Sequence, residues 1–290
     1  MAVVATGFFD GVHLGHRLVI DTLLSEARRR GEQSVVVTFW PHPRAVLQSG
    51  ADELRYLTAR AAKDEMLYSL GVDCVETVPF TREFSSMSAM QYLQMLRGQF
   101  GCTELVLGYD TRFGREQAGP YEISAIAPEL GMDAVVTSPV CIGDVPVSST
   151  RIRSALADGE VNDAACLLGR PYSLHGVVVA GNRLGRTIGF PTANMKLYEP
   201  LMLVPKSGVY QTEVQVLGQR FKGMTNIGVR PTVSEQKVLT IETNILDFDE
   251  MIYGLDITVE FLERIRDERR FASLADLRQQ LCADAASIRG

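Results

Sequence analysis

Ten residues near the start of the chain, Gly7 to His16 (GFFDGVHLGH), hold side chains suited to handling phosphate. His13 and His16 are three apart, so a helix beginning there projects both imidazoles from one face, and Gly15 between them lets a phosphate approach the backbone. The N-terminus of such a helix adds free N–H groups and the positive end of its dipole. The chemistry these groups suit is nucleotidyl transfer. An acceptor phosphate attacks the α-phosphorus of ATP, pyrophosphate leaves, and the protein positions the partners and stabilises spreading negative charge. Isolated histidines in a turn are more often plain surface groups, so the pair needs its context.

Three further stretches have comparable chemistry. Ser148-Ser149-Thr150-Arg151-Ile152-Arg153 would place hydroxyls, backbone N–H groups and two guanidiniums at a helix start, which suits a triphosphate tail and equally a plain N-cap. Gly181 to Asn194 (GNRLGRTIGFPTAN) lacks the GxxxxGK[ST] of a Walker A loop. Its glycines could still admit phosphate to backbone N–H groups, with Thr192 and Asn194 as hard oxygen donors for a Mg-nucleotide; a long hairpin loop explains the same glycines. In Val238 to Leu246, alternation sets Thr240, Glu242 and Asn244 on one face. A carboxylate at a barrel mouth can take the proton of a primary hydroxyl attacking a γ-phosphate, although an exposed strand glutamate is commoner.

The elements that must carry these groups divide the chain in two, as 290 residues already predict. Strands are expected at Val3–Thr6, Ser34–Phe39, Cys74–Val78, Glu104–Tyr109 and Ala134–Ser138, alternating with helices at Arg17–Arg30, Thr58–Leu70, Ser86–Arg97 and Tyr121–Leu130. Repeated βα units imply a Rossmann-like parallel sheet in an α/β domain, with ligands beyond the carboxyl ends of its strands. After a helical stretch and the Gly169/Pro171 break, the texture turns to β: Leu174–Ala180, Val209–Val216, Phe221–Ile227, Val238–Leu246 and Leu255–Phe261, then a helix at Leu274–Leu281. This half reads as a small all-β antiparallel barrel with a C-terminal helix. The expected division is 1–158, a linker at 159–172, and 173–290.

Composition narrows the partners. A formal charge of −6 argues against broad nucleic-acid binding, while Arg151, Arg153, Arg183, Arg186 and Arg230 supply local cations near the motifs. Five scattered cysteines without CxxC spacing argue against a disulfide framework or zinc site. No apolar run reaches membrane-spanning length and no signal peptide opens the chain, so the expectation is a cytoplasmic protein without a membrane partner, monomeric or a weak homo-oligomer.

HxGH between strand and helix resembles the HxGH nucleotidyltransferases, and the fuller GFFDGVHLGH resembles the FMN adenylyltransferase half of the bacterial bifunctional riboflavin kinase/FAD synthetases. The SSTRIR segment, GRTIGFPTAN, IGVRPT, IETNILDF and IRDERRF follow in that family's order, the resemblance running from about Thr6 to Leu281. The resemblance implies an enzyme that phosphorylates riboflavin with ATP to FMN and adenylylates FMN with a second ATP to FAD and pyrophosphate, both with Mg²⁺. It further implies catalytic roles for His13, His16 and Glu242, with ATP for adenylyl transfer held by Gly7, Phe8, Gly15, Ser149, Thr150 and Arg151. TFWPHP and LGYDTRFG correspond to flavin-site segments, making His42 and Asp110 flavin contacts, although a rigid proline turn explains His42 as well. For the kinase it implies ATP at Gly181, Gly185, Arg186, Gly189 and Pro191, Mg²⁺ at Thr192 and Asn194, and flavin at Arg266, Glu268 and Phe271, residues that otherwise read as a charged turn before a helix. Two departures are Thr111, where many members carry Phe, and Asn244, where many carry His. A nucleotidyltransferase for another phosphorylated acceptor, or a flavin-binding regulator without turnover, would share these motifs; consumption of riboflavin with Mg-ATP separates them.

Overall fold

The computed structural model describes the chain except residues 48–53, 182–183 and 232–236 and the side chains of 184, 230, 231, 237 and 238. Arg183, Thr232 and the side chain of Arg230 therefore lie outside the described residues. The chain forms two compact units, Met1–Ser149 and Thr150–Gly290.

In the first unit, β1 (Ala2–Thr6), α1 (Leu14–Arg30), β2 (Gln33–Trp40), α2 (Pro43–Leu47), α3 (Arg60–Ser69), β3 (Cys74–Pro79), α4 (Arg82–Ser85), α5 (Ala89–Phe100), β4 (Cys102–Leu107), α6 (Pro120–Ile126), a 3₁₀ turn (Ala127–Leu130) and β5 (Asp133–Val136) follow in order. A two-stranded hairpin, β6 (Cys141–Ile142) and β7 (Val145–Pro146), closes it. The sheet is parallel, in the order β3-β2-β1-β4-β5. Both faces of β1 are buried: Val3 and Ala5 pack with Ile20 and Leu23 of α1 and Leu67 of α3, and Ala2 and Val4 with Leu93 and Leu96 of α5. Each of the Val, Ile and Leu side chains among them contributes about 1.5–3 kcal/mol when fully buried, so the sheet is firmly held where β1 and β4 part. That parting is the topological switch point, where the loops after both strands flank one crevice.

Two expected boundaries move for clear reasons. Helix α1 begins at Leu14, three residues before Arg17, because His13 is its N-cap and its ring accepts from His16 N–H. The helix expected over Tyr121–Leu130 changes to 3₁₀ at Ala127, where Pro128 has no N–H to continue it.

The second unit holds most of α7 (Ser149–Asp158), then α8 (Val161–Leu168), β8 (Tyr172–Val179), the short α9 (Leu184–Thr187), β9 (Ala193–Leu197), β10 (Gly208–Val216), β11 (Gln219–Pro231), β12 (Lys237–Ile245), β13 (Asp256–Arg266) and α10 (Leu274–Arg289). Six strands close into a barrel in the order β10-β11-β12-β9-β8-β13. Its interior combines Leu174, Tyr210, Val259 and Phe261 with a ladder of buried hydroxyls, Thr212 to Thr225 and Thr225 to Thr243, each at 2.9 Å. Helix α10 covers part of the outer wall, Ala285 and Ile288 packing on Val209, Met224 and Leu246. Strand β9 escapes the sequence pattern, since Ala193, Asn194 and Lys196 lack the β-branched signature and its pairing with β12 spans only two residues.

Gly176 faces the barrel interior, where a Cβ would collide with Lys196 O and lie 2.9 Å from Met195 Cγ. Gly176→Ala is expected to destabilise the barrel by roughly 2–4 kcal/mol, read as a lower midpoint in urea denaturation.

Candidate functional site

The first site is the Gly7–His13 loop and the start of α1. Gly7 N–H still bonds to Val37 O, and the chain then turns through three positive-φ residues, Phe9 (54°), Gly11 (87°) and Val12 (41°). A β-branched residue there is a strained conformer that its surroundings must enforce. Asp10, 3% exposed, accepts from Leu57 N–H at 3.0 and 3.1 Å and from Thr58 N–H at 3.1 Å. Thr6 Oγ1 lies 2.5 Å from Tyr92 OH, and Val12 N–H bonds back to Phe9 O.

His13 and His16 come together as the spacing predicts. Their rings stack with centroids 3.6 Å apart and 14° between planes. His13 Nδ1 accepts from His16 N–H at 3.3 Å, so a neutral His13 carries its proton on Nε2. A Cβ on Gly15 would sit 3.2 Å from the His13 ring, so the glycine keeps the pair uncrowded. Ser149 joins the loop, its hydroxyl donating to Asp10 O at 3.0 Å. Thr150 and Arg151 are the next residues of α7, in the second unit.

Phe8 meets the His42 ring edge-on at 4.2 Å, and His42 Nδ1 accepts from Arg44 N–H at 3.0 Å. Asp110 is exposed in the loop after β4. Neither lines the cavity of about 310 Å³ between the ends of β1 and β2, although Pro43 and Thr111 do. Its walls are Thr6, Gly7, Arg112 and an aromatic set, Phe39, Phe80, Phe84, Tyr92 and Phe113. Sequence reasoning missed that set; the run PFTREF, with aromatics four apart beside a strand end, was its signal. Such a cavity suits a flat aromatic ligand with a polar tail.

The second site is on the barrel wall. Asn194 of β9 lies opposite Glu242 of β12, Glu242 opposite Asn226 of β11, Asn226 opposite Val209 of β10 and Val209 opposite Arg266 of β13. Because the neighbours Ile241 and Thr243 point inward, this row faces outward, with α10 covering the adjoining apolar stretch. Glu242 thus stands mid-strand on the outer wall, beside Asn194. Gly181 packs on the Asn194 amide so closely that a Cβ would collide with Nδ2. Gly185 accepts from Phe190 N–H at 2.8 Å and has no room for a side chain against Phe190 O, while Gly189 turns with φ 83°. Asn244 donates to Pro191 O at 2.6 Å, so the departure from His is a tie holding the proline.

Arg186, Pro191 and Thr192 line a cavity of about 380 Å³ completed by Phe248 to Tyr253. At the other end of the row, the Glu268 carboxylate packs against the bare backbone of Gly228. Arg266 is engaged: its Nε and Nη2 donate to Asp284 of α10 at 2.9 and 2.8 Å, Nη1 donates to Asp267 O, and its guanidinium lies 5.9 Å from the Phe271 ring. Among the described residues no helix is long and apolar enough to cross a membrane, and no group of three or more His, Cys, Asp or Glu could hold a metal ion.

Comparison with known proteins adds to this geometry. The FAD synthetase family model matches residues 1–151 and the riboflavin kinase model residues 168–290. A bifunctional riboflavin kinase/FMN adenylyltransferase of Listeria monocytogenes is 37% identical over 99% of this chain and 91% of its own. The Escherichia coli protein of the same name is 39% identical over 99% and 91%. A crystal structure described as a macrolide-efflux protein from Streptococcus pneumoniae superposes with a TM-score of 0.92, covering 100% of this chain and 94% of that one at 32% identity.

Arg266 and Asp284 are 10% and 3% exposed. Arg266→Met leaves the Asp284 carboxylate buried without its cation, an expected loss of about 3–5 kcal/mol. Chemical denaturation of the variant followed by the far-ultraviolet signal of α10 checks this.

Proposed function

The chain belongs to the bifunctional riboflavin kinase/FMN adenylyltransferase family, enzymes that phosphorylate riboflavin to FMN and adenylylate FMN to FAD, and we propose which residues carry each step. We assign FAD formation to residues 1–158 and FMN formation to 173–290; the intervening 159–172 fold with the second unit as α8 and the start of β8. The observation that carries this reading is the stacked His13–His16 pair at the N-terminus of α1, set in a loop at the switch point of a parallel sheet.

For adenylyl transfer, an FMN phosphate oxygen attacks the α-phosphorus of ATP, and the bond to the β-phosphate oxygen breaks as pyrophosphate leaves. His13 and His16 donate to the charge that develops, backed by the loop N–H groups and the α1 dipole. Gly7, Phe8 and Gly15 shape the nucleotide side, with Ser149, Thr150 and Arg151 on the phosphates. The aromatic cavity takes the flavin ring, and His42 and Asp110, which stand outside its lining, contact the part of the flavin that projects from it.

For phosphorylation, Glu242 accepts the proton of the riboflavin terminal hydroxyl as that oxygen attacks the γ-phosphorus, and the bond from the γ-phosphorus to the β-phosphate oxygen breaks as ADP leaves. ATP occupies the cavity of Arg186, Pro191 and Thr192 with Gly181, Gly185 and Gly189 on its phosphates, and Glu268 and Phe271 bound the flavin side with Arg266 fixing their turn to α10. The donors fit Mg²⁺: the Thr192 hydroxyl and Asn194 amide oxygen are hard ligands, few enough for an ion that keeps waters and binds mainly phosphates. When bound, Mg²⁺ neutralises phosphate charge. The net charge of −6 supports the absence of a nucleic-acid partner, and we place the protein in the cytoplasm as a monomer or weak homo-oligomer.

Variants separate the two sites. His16→Ala is expected to slow FAD formation about 100-fold or more while sparing FMN formation, and Glu242→Gln to do the reverse. Chromatographic assay of each product decides it; equal loss of both products in both variants defeats the assignment.

A further inference from the structure

Beneath the first site lies a lysine that the two reactions do not account for. Lys63, in the first turns of α3, is 1% exposed, and among the described residues it forms no ion pair. Its Nζ donates to Phe8 O at 3.0 Å and to Thr38 Oγ1 of β2 at 2.8 Å, and stands 4.4 Å from the centroid of the Phe8 ring. Thr38, fully buried, also donates to Phe8 O, at 3.3 Å. Keeping an ammonium out of water is expensive, and a methionine of similar length would fill the space without that cost. The charge therefore has work to do at the place it touches, which is the start of the motif loop.

Its point of contact is the peptide between Phe8 and Phe9. In a trans peptide the C=O and N–H point opposite ways, so fixing the Phe8 carbonyl towards α3 turns the Phe9 N–H away from it, and an ammonium on the carbonyl polarises that N–H into a stronger donor. Phe9 is the first left-handed residue of the loop, and Gly11, Val12 and the His13 cap follow. The ammonium also fixes the Phe8 ring, which meets His42 at 4.2 Å.

We infer that Lys63 is a positioning residue for adenylyl transfer: its buried ammonium pins the Phe8 carbonyl and ring from beneath and so holds the left-handed loop and the histidine pair in phosphate-binding shape. The inference rests on the use of that loop proposed above. Charge is part of the mechanism, so it titrates. Burial pushes the Lys63 ammonium down to about 8, against the attraction of Asp64 and Asp10 and with the repulsion of Arg60. The groups facing it are Asp10 from the loop, the Thr38 hydroxyl from β2, and Asp64 and Arg60 from its own helix. Below about pH 8 the amine is charged and the loop is held; above it the hold weakens.

The test measures FAD formation from FMN and ATP, and FMN formation from riboflavin and ATP, on the full-length protein from pH 6 to 10. In the unaltered protein, kcat for FAD formation is expected to fall as pH rises through about 8, a limb absent from FMN formation. Lys63→Met is expected to lower kcat for FAD formation on the order of 10- to 100-fold at pH 7, with a much smaller change in KM for ATP, and to lack the alkaline limb. Thr38→Val keeps the lysine and its space but removes one acceptor from the charged form, so the limb should move to lower pH. A Lys63→Met protein with unchanged kcat, a limb that persists in it, or a limb unmoved by Thr38→Val overturns the inference. If Lys63→Met does not fold, Thr38→Val alone decides. A His16→Ala protein that still makes FAD at full rate would instead overturn the loop's use in adenylyl transfer.

Discussion

A turn that runs left-handed at Phe9, Gly11 and Val12 cannot hold itself, and the first unit depends on the groups that hold it. Glycine tolerates such φ values, but phenylalanine and especially valine do not, and each strained residue costs of order 1–3 kcal/mol. The compensation is local and polar. Asp10 takes three N–H bonds from Leu57 and Thr58, Ser149 donates to Asp10 O, and Lys63 holds Phe8 O. On the use proposed for this loop, holding the strained turn and the two stacked imidazoles fixed before any ligand arrives is the pre-organisation that charge-stabilising catalysis requires.

The barrel solves positioning differently. Its interior is closed by Tyr210, Phe261 and the threonine ladder, so polar groups are collected on the outer wall, where strand register aligns Asn194, Glu242 and Asn226 across three strands. Neighbouring strands stand about 4.8 Å apart, so side chains in one such row meet the same ligand. Gly181 and Pro191 then pack near that row, Gly181 on the Asn194 amide and Pro191 through its carbonyl to Asn244.

Much of this was legible before any coordinates. Alternating apolar runs and glycine stops marked the parallel sheet, and period-two texture marked the barrel, because both signals come from one-sided or two-sided burial. The histidine pair was legible because a spacing of three has one geometric meaning at a helix start. Less visible were features made by contacts between distant segments. Strand β9 lacks the composition of a strand and exists because β8 and β12 offer it partners. The aromatic cavity draws on Phe39, Phe84, Tyr92 and Phe113, which no local period connects. Lys63 reads in sequence as an ordinary helix residue, and only its burial under Phe8 separates it from a solvated one.

The two acceptors explain why the sites are built from different residues. A primary hydroxyl must lose its proton as it attacks phosphorus, so the kinase half needs a carboxylate, and Glu242 stands half-buried beside the amide of Asn194. A phosphate monoester is already largely ionised at neutral pH, since its second proton leaves near pH 6. It needs no base. The difficulty there is bringing two anions together, which calls for donors and positive charge. The motif's own acid, Asp10, has its carboxylate taken up by backbone N–H groups, while the residues presented at the helix start are two imidazoles with a buried ammonium behind the loop. On the proposed assignment, the charge demands of each acceptor follow through to the choice of side chain, one unit supplying a proton acceptor and the other suppressing one.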